Sequence, residues 1–121
     1  MMQRPAAANL DDLKYALRAF VKERDWDQFH APKNLAMAVA IEAAELMEEF
    51  QWLTPEQSAA LPAEKREAVR QEMADVLLYL VRLADKLDID LVAAAADKLV
   101  INAEKYPAEI VRGKSDKYDR Y

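Results

Sequence analysis

The sequence contains no cysteine and a single glycine in 121 residues. Without thiols there is neither a disulfide framework nor a thiolate metal site, which fits a reducing compartment. A sheet protein of this length would need many tight turns, and tight turns need glycine. The dominance of Ala, Leu, Glu, Lys and Arg instead points to an all-α chain with few connections. No stretch approaches the ~20 apolar residues of a membrane span. The opening "MMQRPAAANL" lacks the apolar segment of a secretory signal, so a cytoplasmic protein with no membrane partner is expected. Positive charge is also scarce: 17 Lys and Arg stand against 22 Asp and Glu, a net charge of -5. Binding to a nucleic-acid polymer needs clustered cations, so none is expected as a partner. A small phosphate ligand stays compatible if a basic group or a metal ion offsets the acid.

Residues 1–8 read as a flexible tail. Asn9 and Asp11 are capping residue types, and Leu10, Leu13, Leu17, Phe20 and Val21 recur at helical spacing, predicting a helix over 9–24. The aromatic and polar "DWDQFHAPKN" reads as a structured loop into a second helix over 32–53. Thr54 and Pro55 suit a cap and first position of one short turn. Pro62 opens a third helix, over 62–87, and "DID" caps a fourth, over 89–106, which Pro107 stops. The expected organisation is one helical domain over 9–111, a bundle of four main helices, followed by a charged tail over 112–121.

The second helix poses a chemical problem. "AIEAAELMEEFQW" sets Glu42, Glu45, Glu48 and Glu49 among apolar neighbours. At ~100° per residue, with Glu42 at zero, Glu45 lies near about -60° and Glu49 near about -20°. Leu46 and Val39 lie near about +40° and +60°, so three glutamates abut the apolar stripe, and Glu48 alone turns clearly away. Ile41, Met37, Ala44 and Ala40 fill the other side, and a helix that is apolar all round is covered on several sides. A single small bundle does not easily do that, so a homo-oligomer is expected. The third helix repeats the pattern, with Glu72 and Asp75 three apart, Tyr79 four further on, and Val69, Val76 and Leu83 at the border.

Ionised carboxylates facing one another repel and lose hydration. Either some hold protons, or a divalent cation bridges them. Oxygen-only ligands select hard cations, Mg²⁺ first, with Mn²⁺ as a substitute. The plainer alternative is that these acids are surface partners of Lys and Arg. A di-iron site is disfavoured, because it uses Glu-x-x-His on two helices and His30 is the one histidine, in a loop. Lys98, Asn102 and Lys105 share a face of the fourth helix, and Arg112, Lys114 and Lys117 follow. Such a stripe beside a metal suits a di- or triphosphate, and is otherwise a solvated face. Trp26 has little reason to be core; it could stack on a nucleobase or, like Trp52, pack at a subunit contact.

With these residues in hand, the chain resembles the MazG-like all-α nucleoside triphosphate pyrophosphohydrolases. The matching pattern is E-x-x-E on one helix, Glu42 and Glu45, and E-x-x-D on the next, Glu72 and Asp75. "ERDWDQFHAPKNL" is most similar to the dCTP pyrophosphatase group, and Tyr79, "NAEKYP" and "RGKSDKYD" match as well. The resemblance covers about residues 10–119.

It implies a Mg²⁺-dependent enzyme that splits a (deoxy)nucleoside triphosphate, dCTP or a modified dCTP, into monophosphate and pyrophosphate. It also implies a dimer or dimer of dimers of helical bundles. By the resemblance Glu42, Glu45, Glu72 and Asp75 hold metal, and Glu45 orients or deprotonates the attacking water. Trp26 and His30 line the base pocket, Trp52 contributes across a subunit contact, and Tyr79, Lys98, Asn102, Lys105 and Arg112 contact phosphates or sugar. There are two departures. Ile41 stands where some relatives carry a further Glu, and Leu17 stands where the dCTP pyrophosphatase pattern has a histidine. The second bears on base preference and not on the metal site. A catalytically idle nucleotide-binding protein and a helical oligomerisation module are the competing classes.

Overall fold

A computed structural model of the chain describes residues 2–115. These residues are all-α: α1 (Leu10–Glu23), α2 (Pro32–Glu48), α3 (Pro55–Ala59), α4 (Ala63–Lys86), α5 (Leu91–Lys105) and α6 (Ala108–Val111), with one 3₁₀ turn at Asp27–Phe29. There is no strand among the described residues, and no helix there is long and apolar enough to cross a membrane. The chain divides after Asp88 into two compact units.

The first unit holds α1 to α4. Helices α1 and α3 begin where the sequence supplies acceptors for their free N–H groups. Asn9 Oδ1 accepts the Asp12 N–H at 2.8 Å, and the Asp12 carboxylate accepts the Ala8 N–H at 2.9 Å. Pro32 occupies the first turn of α2, where no donor is needed. Thr54 and Gln57 close a capping box on α3. Helix α4 is the axis of the unit: α2 packs along it, and α1 packs against it. The core is Val21 of α1, Leu35 of α2, and Val69, Val81 and Ala84 of α4. Leu35, 1% exposed, is the anchor of α2.

Helix α2 is five residues shorter than the periodicity predicts, ending at Glu48 and not near Leu53. The apolar pattern does run on through Phe50 and Leu53, but the hydrogen bonds tighten. Glu49, Phe50 and Leu53 donate three residues back, to Leu46, Met47 and Phe50, and the chain turns toward the Thr54 cap. Trp52 is 85% exposed in this turn. On α2 itself Met37, Ile41 and Met47 are also exposed, so within the first unit α4 covers one side of the helix and these apolar residues stay open among the described residues.

The second unit holds α5 and α6. Asp90 caps α5 through a 3.0 Å bond from the Ala93 N–H. Helix α5 ends at Lys105, where Pro107 follows, as the sequence suggests. The one-turn helix α6 was not anticipated. After it, Gly113 adopts a φ of 79°, a conformation that favours glycine. The remainder of "RGKSDKYD", from Asp116 on and with it Lys117, lies outside the described residues.

Candidate metal centre and adjoining pocket

Packing α2 along α4 brings three carboxylates together. An oxygen of each of Glu42, Glu45 and Glu72 lies within 4.8 Å of the others. Glu42 and Glu72 are half-buried and Glu45 is exposed. The Oε2 atoms of Glu42 and Glu72 are buried and have no hydrogen-bond partner among the described residues. A buried acceptor without a donor is costly, and two beside a third carboxylate are more so. Protons are one remedy: burial, with Glu45, Glu72 and Asp75 nearby, pushes the Glu42 carboxyl up to about 7. Burial and the Glu45 and Asp75 charges raise Glu72 as well. A hard divalent cation is the other, and an oxygen-only donor set with unpaired buried lone pairs fits one.

The other acids of α2 separate from this group. Glu48 is exposed. Glu49 lies at the edge of the apolar stripe, as the helical geometry predicts, and pairs with Lys65 at 2.7 Å. For Glu49 the plain surface-partner explanation is therefore the right one.

Asp75 is exposed, and its carboxylate is not part of the three-acid group. It lines an adjacent cavity of about 240 Å³ instead, together with Leu17, Trp26, His30, Tyr79 and Arg82. Four residues singled out from the sequence, Trp26, His30, Asp75 and Tyr79, thus meet around one space, and Leu17, the departure from the dCTP pyrophosphatase pattern, is in its wall.

The loop that presents Trp26 and His30 is built from the end of α1. Asp25 sits in the left-handed region, φ 52°, which aspartate tolerates better than most residues. The Asp25 N–H bonds Lys22 O and the Trp26 N–H reaches back to Val21 O, which closes the helix in a Schellman turn. Trp26 then meets Phe20 edge-on, ring centroids 5.7 Å apart. The 3₁₀ turn follows, with His30 N–H on Asp27 O at 3.0 Å.

The loop is tied to α4 by charge. Arg82 is 6% exposed and donates to Asp27 Oδ1 at 2.7 Å, His30 Nδ1 at 3.2 Å and Asp85 Oδ2 at 3.3 Å. Lys86 joins Asp27 at 2.8 Å. Arg18 of α1 grips Asp85 through Nε at 2.8 Å and Nη2 at 2.6 Å. Lys86 first, then Arg82, holds the Asp27 carboxyl below its ordinary value, and the Arg18 hydrogen bond does the same for Asp85. Sequence reasoning missed this network. The signal for Arg82 was present: it stands seven beyond Asp75 and three beyond Tyr79, on the same helical face.

The remaining predicted residues lie elsewhere. Trp52 is in the exposed turn after α2 and is not part of the cavity wall. Lys98, Asn102 and Lys105 are on α5, and Arg112 follows α6, all in the second unit.

The chain is similar to known proteins in sequence and in fold. The MazG-like family pattern matches residues 37–120. The dCTP pyrophosphatase 1 of Homo sapiens is 44% identical over 112 residues, 90% of this chain and 65% of that protein. That of Mus musculus is 40% identical over 111 residues, with the same coverage. The chain thus spans 65% of the length of these curated relatives. The crystal structure of a pyrophosphatase from Archaeoglobus fulgidus superposes with a TM-score of 0.77, at 36% identity, over 88% of this chain and 99% of that one. Family pattern, relatives and fold point the same way, and the chain belongs to the MazG-like family.

Proposed function

We propose that the protein is a Mg²⁺-dependent nucleoside triphosphate pyrophosphohydrolase acting on dCTP or a modified dCTP. The observation that carries this reading is the three-carboxylate cluster beside a cavity walled by Trp26, His30, Asp75 and Tyr79. One part fits a cation and the phosphates that follow it; the other fits a planar base. Two relatives named dCTP pyrophosphatase 1 support the choice of substrate.

Glu42, Glu45 and Glu72, with Asp75 at the border, would hold Mg²⁺, and Mn²⁺ could replace it. When bound, the ion would neutralise phosphate charge and make water at the site more acidic. Glu45 is the most exposed acid of the three-member cluster and so the candidate general base. Water oxygen attacks the α-phosphorus, its proton passes to Glu45, and the bond from that phosphorus to the bridging oxygen breaks. Pyrophosphate leaves and the nucleoside monophosphate remains. No Ser, Cys or Lys nucleophile is required. Trp26 would stack on the base, and His30 would meet its edge. Tyr79, Lys98, Asn102, Lys105 and Arg112 are assigned to phosphates or sugar.

The protomer is read as a bundle of the four long helices, assembled as a homodimer or homotetramer in the cytoplasm. The exposed apolar side of α2, Met37, Ile41 and Met47, with Trp52 beyond it, supports self-association. Across such a contact Trp52 could reach a partner's pocket.

The test is a panel of common and modified triphosphates with and without Mg²⁺, scored for monophosphate and pyrophosphate. Equal amounts of dCMP and pyrophosphate from dCTP, only with the metal, are expected. Release of orthophosphate, or no turnover of any nucleotide, would refute the reading and favour an idle binding or oligomerisation protein.

A further inference from the structure

His30 is the chain's single histidine, and its Nδ1 accepts the Arg82 Nε–H at 3.2 Å. A guanidinium has donors and no acceptor. Nδ1 must therefore carry a lone pair and not a proton, so the neutral ring holds its proton on Nε2. Burial first, then the Arg82 charge, lowers the imidazole pKa from its ordinary value, in keeping with a neutral ring.

Arg82 is not free to reverse this arrangement. Its Nη2 is engaged by Asp27 and its Nη1 by Asp85, and Asp85 is itself gripped by Arg18 from α1. Turning the guanidinium away from His30 would break these bonds in a largely buried place. The imidazole lines the cavity with Trp26 and Asp75, and its Nε2 has no hydrogen-bond partner among the described residues. Trp26 has no acceptor and its indole has one donor, so the ring face cannot distinguish bases by hydrogen bonding. His30 can.

We propose that Arg82 is a positioning residue for base recognition: by donating to His30 Nδ1 it fixes the Nε2–H tautomer, so that His30 offers a donor to the cavity and selects a base with an acceptor there, N3 of cytosine. Uracil and thymine carry N3–H at that place and would set donor against donor. A methyl group at C5 lies away from N3 and is tolerated. The proposal rests on the nucleotide reading above and adds which edge of the base is read and by what.

A protein labelled with ¹⁵N at histidine gives one imidazole, free of overlap. Its two nitrogen resonances and their couplings to the ring C–H protons report the tautomer without any turnover. The Nε2–H form is expected in the wild-type protein, and loss of that preference in Arg82→Met, with folding checked by circular dichroism. The same sample is then titrated with dCMP and with 3-deaza-dCMP, which lacks the N3 acceptor. The analogue should bind about tenfold more weakly, the size of one neutral hydrogen bond. His30→Gln, which keeps an N–H donor, should retain dCMP affinity within about threefold, and His30→Leu should lose about tenfold and erase the difference between the two ligands.

An Nδ1–H tautomer or an imidazolium in the wild-type protein at neutral pH would overturn the proposal, as would equal affinity for dCMP and its 3-deaza analogue. Should Arg82→Met not fold, the wild-type spectrum and the two His30 variants still decide it. If dCTP is not hydrolysed but the tautomer and the N3 preference are found, the enzyme reading fails and this one stands.

Discussion

Glu42→Gln should make the metal-free protein more stable at neutral and alkaline pH, and leave it unchanged in acid. The Glu42 carboxyl has an ordinary value of 4.5 and stands at about 7 in the fold, chiefly through burial and then through Glu45, Glu72 and Asp75. The folded state therefore binds this proton more tightly than the unfolded chain does. Below about pH 4.5 both states are protonated and nothing is lost. Between about pH 4.5 and about 7 the unfolded chain is ionised while the folded one still holds its proton, so stability falls across that window and levels off once both are ionised. At ~1.4 kcal/mol per pKa unit the difference is ~3.5 kcal/mol at most. The side chain is only half-buried, so solvent screening reduces the effect to about 1–2 kcal/mol. For a chain of this size that is a rise of roughly 3–8 °C in Tm at about pH 8. Thermal melts in chelator across pH would show a declining wild-type curve and a flatter variant curve. Adding Mg²⁺ should raise the wild-type Tm and recover less in the variant, because binding energy is linked to the folded state. A variant that melts no higher than wild type at about pH 8, or that keeps the wild-type slope between about pH 5 and 7, would refute the strained-cluster reasoning.

Glu45→Gln should lower turnover by ~10²–10⁴ while Glu48→Gln, three residues on and exposed, changes it little; equal activity of both variants in a pyrophosphate-release assay would sink the general-base role. Trp26→Ala should raise KM by the loss of a stacked base, ~1–3 kcal/mol, with Mg²⁺ stabilisation retained, and an unchanged KM for every nucleotide would favour simple packing. Leu35→Ala should cost ~2–5 kcal/mol in urea unfolding, since it empties the anchor between α2 and α4. Light scattering at micromolar concentration should give at least twice the mass of one chain; a single-chain mass would show that the open side of α2 is tolerated in water.

The acidic pairs were legible because helical periodicity alone places Glu42 and Glu45, and Glu72 and Asp75, at the borders of apolar stripes. What periodicity does not give is the relative rotation of two packed helices. That rotation gathers Glu42, Glu45 and Glu72 and directs Asp75 to the cavity. Nor does it show where a helix stops when the apolar residues continue: the end of α2 is set by three-residue hydrogen bonds leading into the Thr54 cap. The ladder from Arg18 through Asp85 and Arg82 to Asp27 joins residues far apart in sequence, so no local pattern reports it. Trp26 and His30 were picked out by motif; what ties their loop to α4 is the ion pair of Asp27 with Arg82, a partner that lies outside the motif.

One side of the cavity wall, with Leu17 and Trp26, comes from α1 and its loop; the other, with Asp75, Tyr79 and Arg82, comes from α4, which also carries Glu72 of the carboxylate cluster. Substitutions can therefore accumulate on the α1 side of the wall without displacing the acids. A lineage could change the outline of the cavity at Leu17 and keep its acids in place, which amounts to a division of selective pressure along the chain. On the α4 side Asp75 couples the two most directly, since it faces the cavity and also raises the proton affinity of Glu42 and Glu72. Any change there would be felt on both sides at once, so it is the position at which the two halves of the site cannot evolve separately.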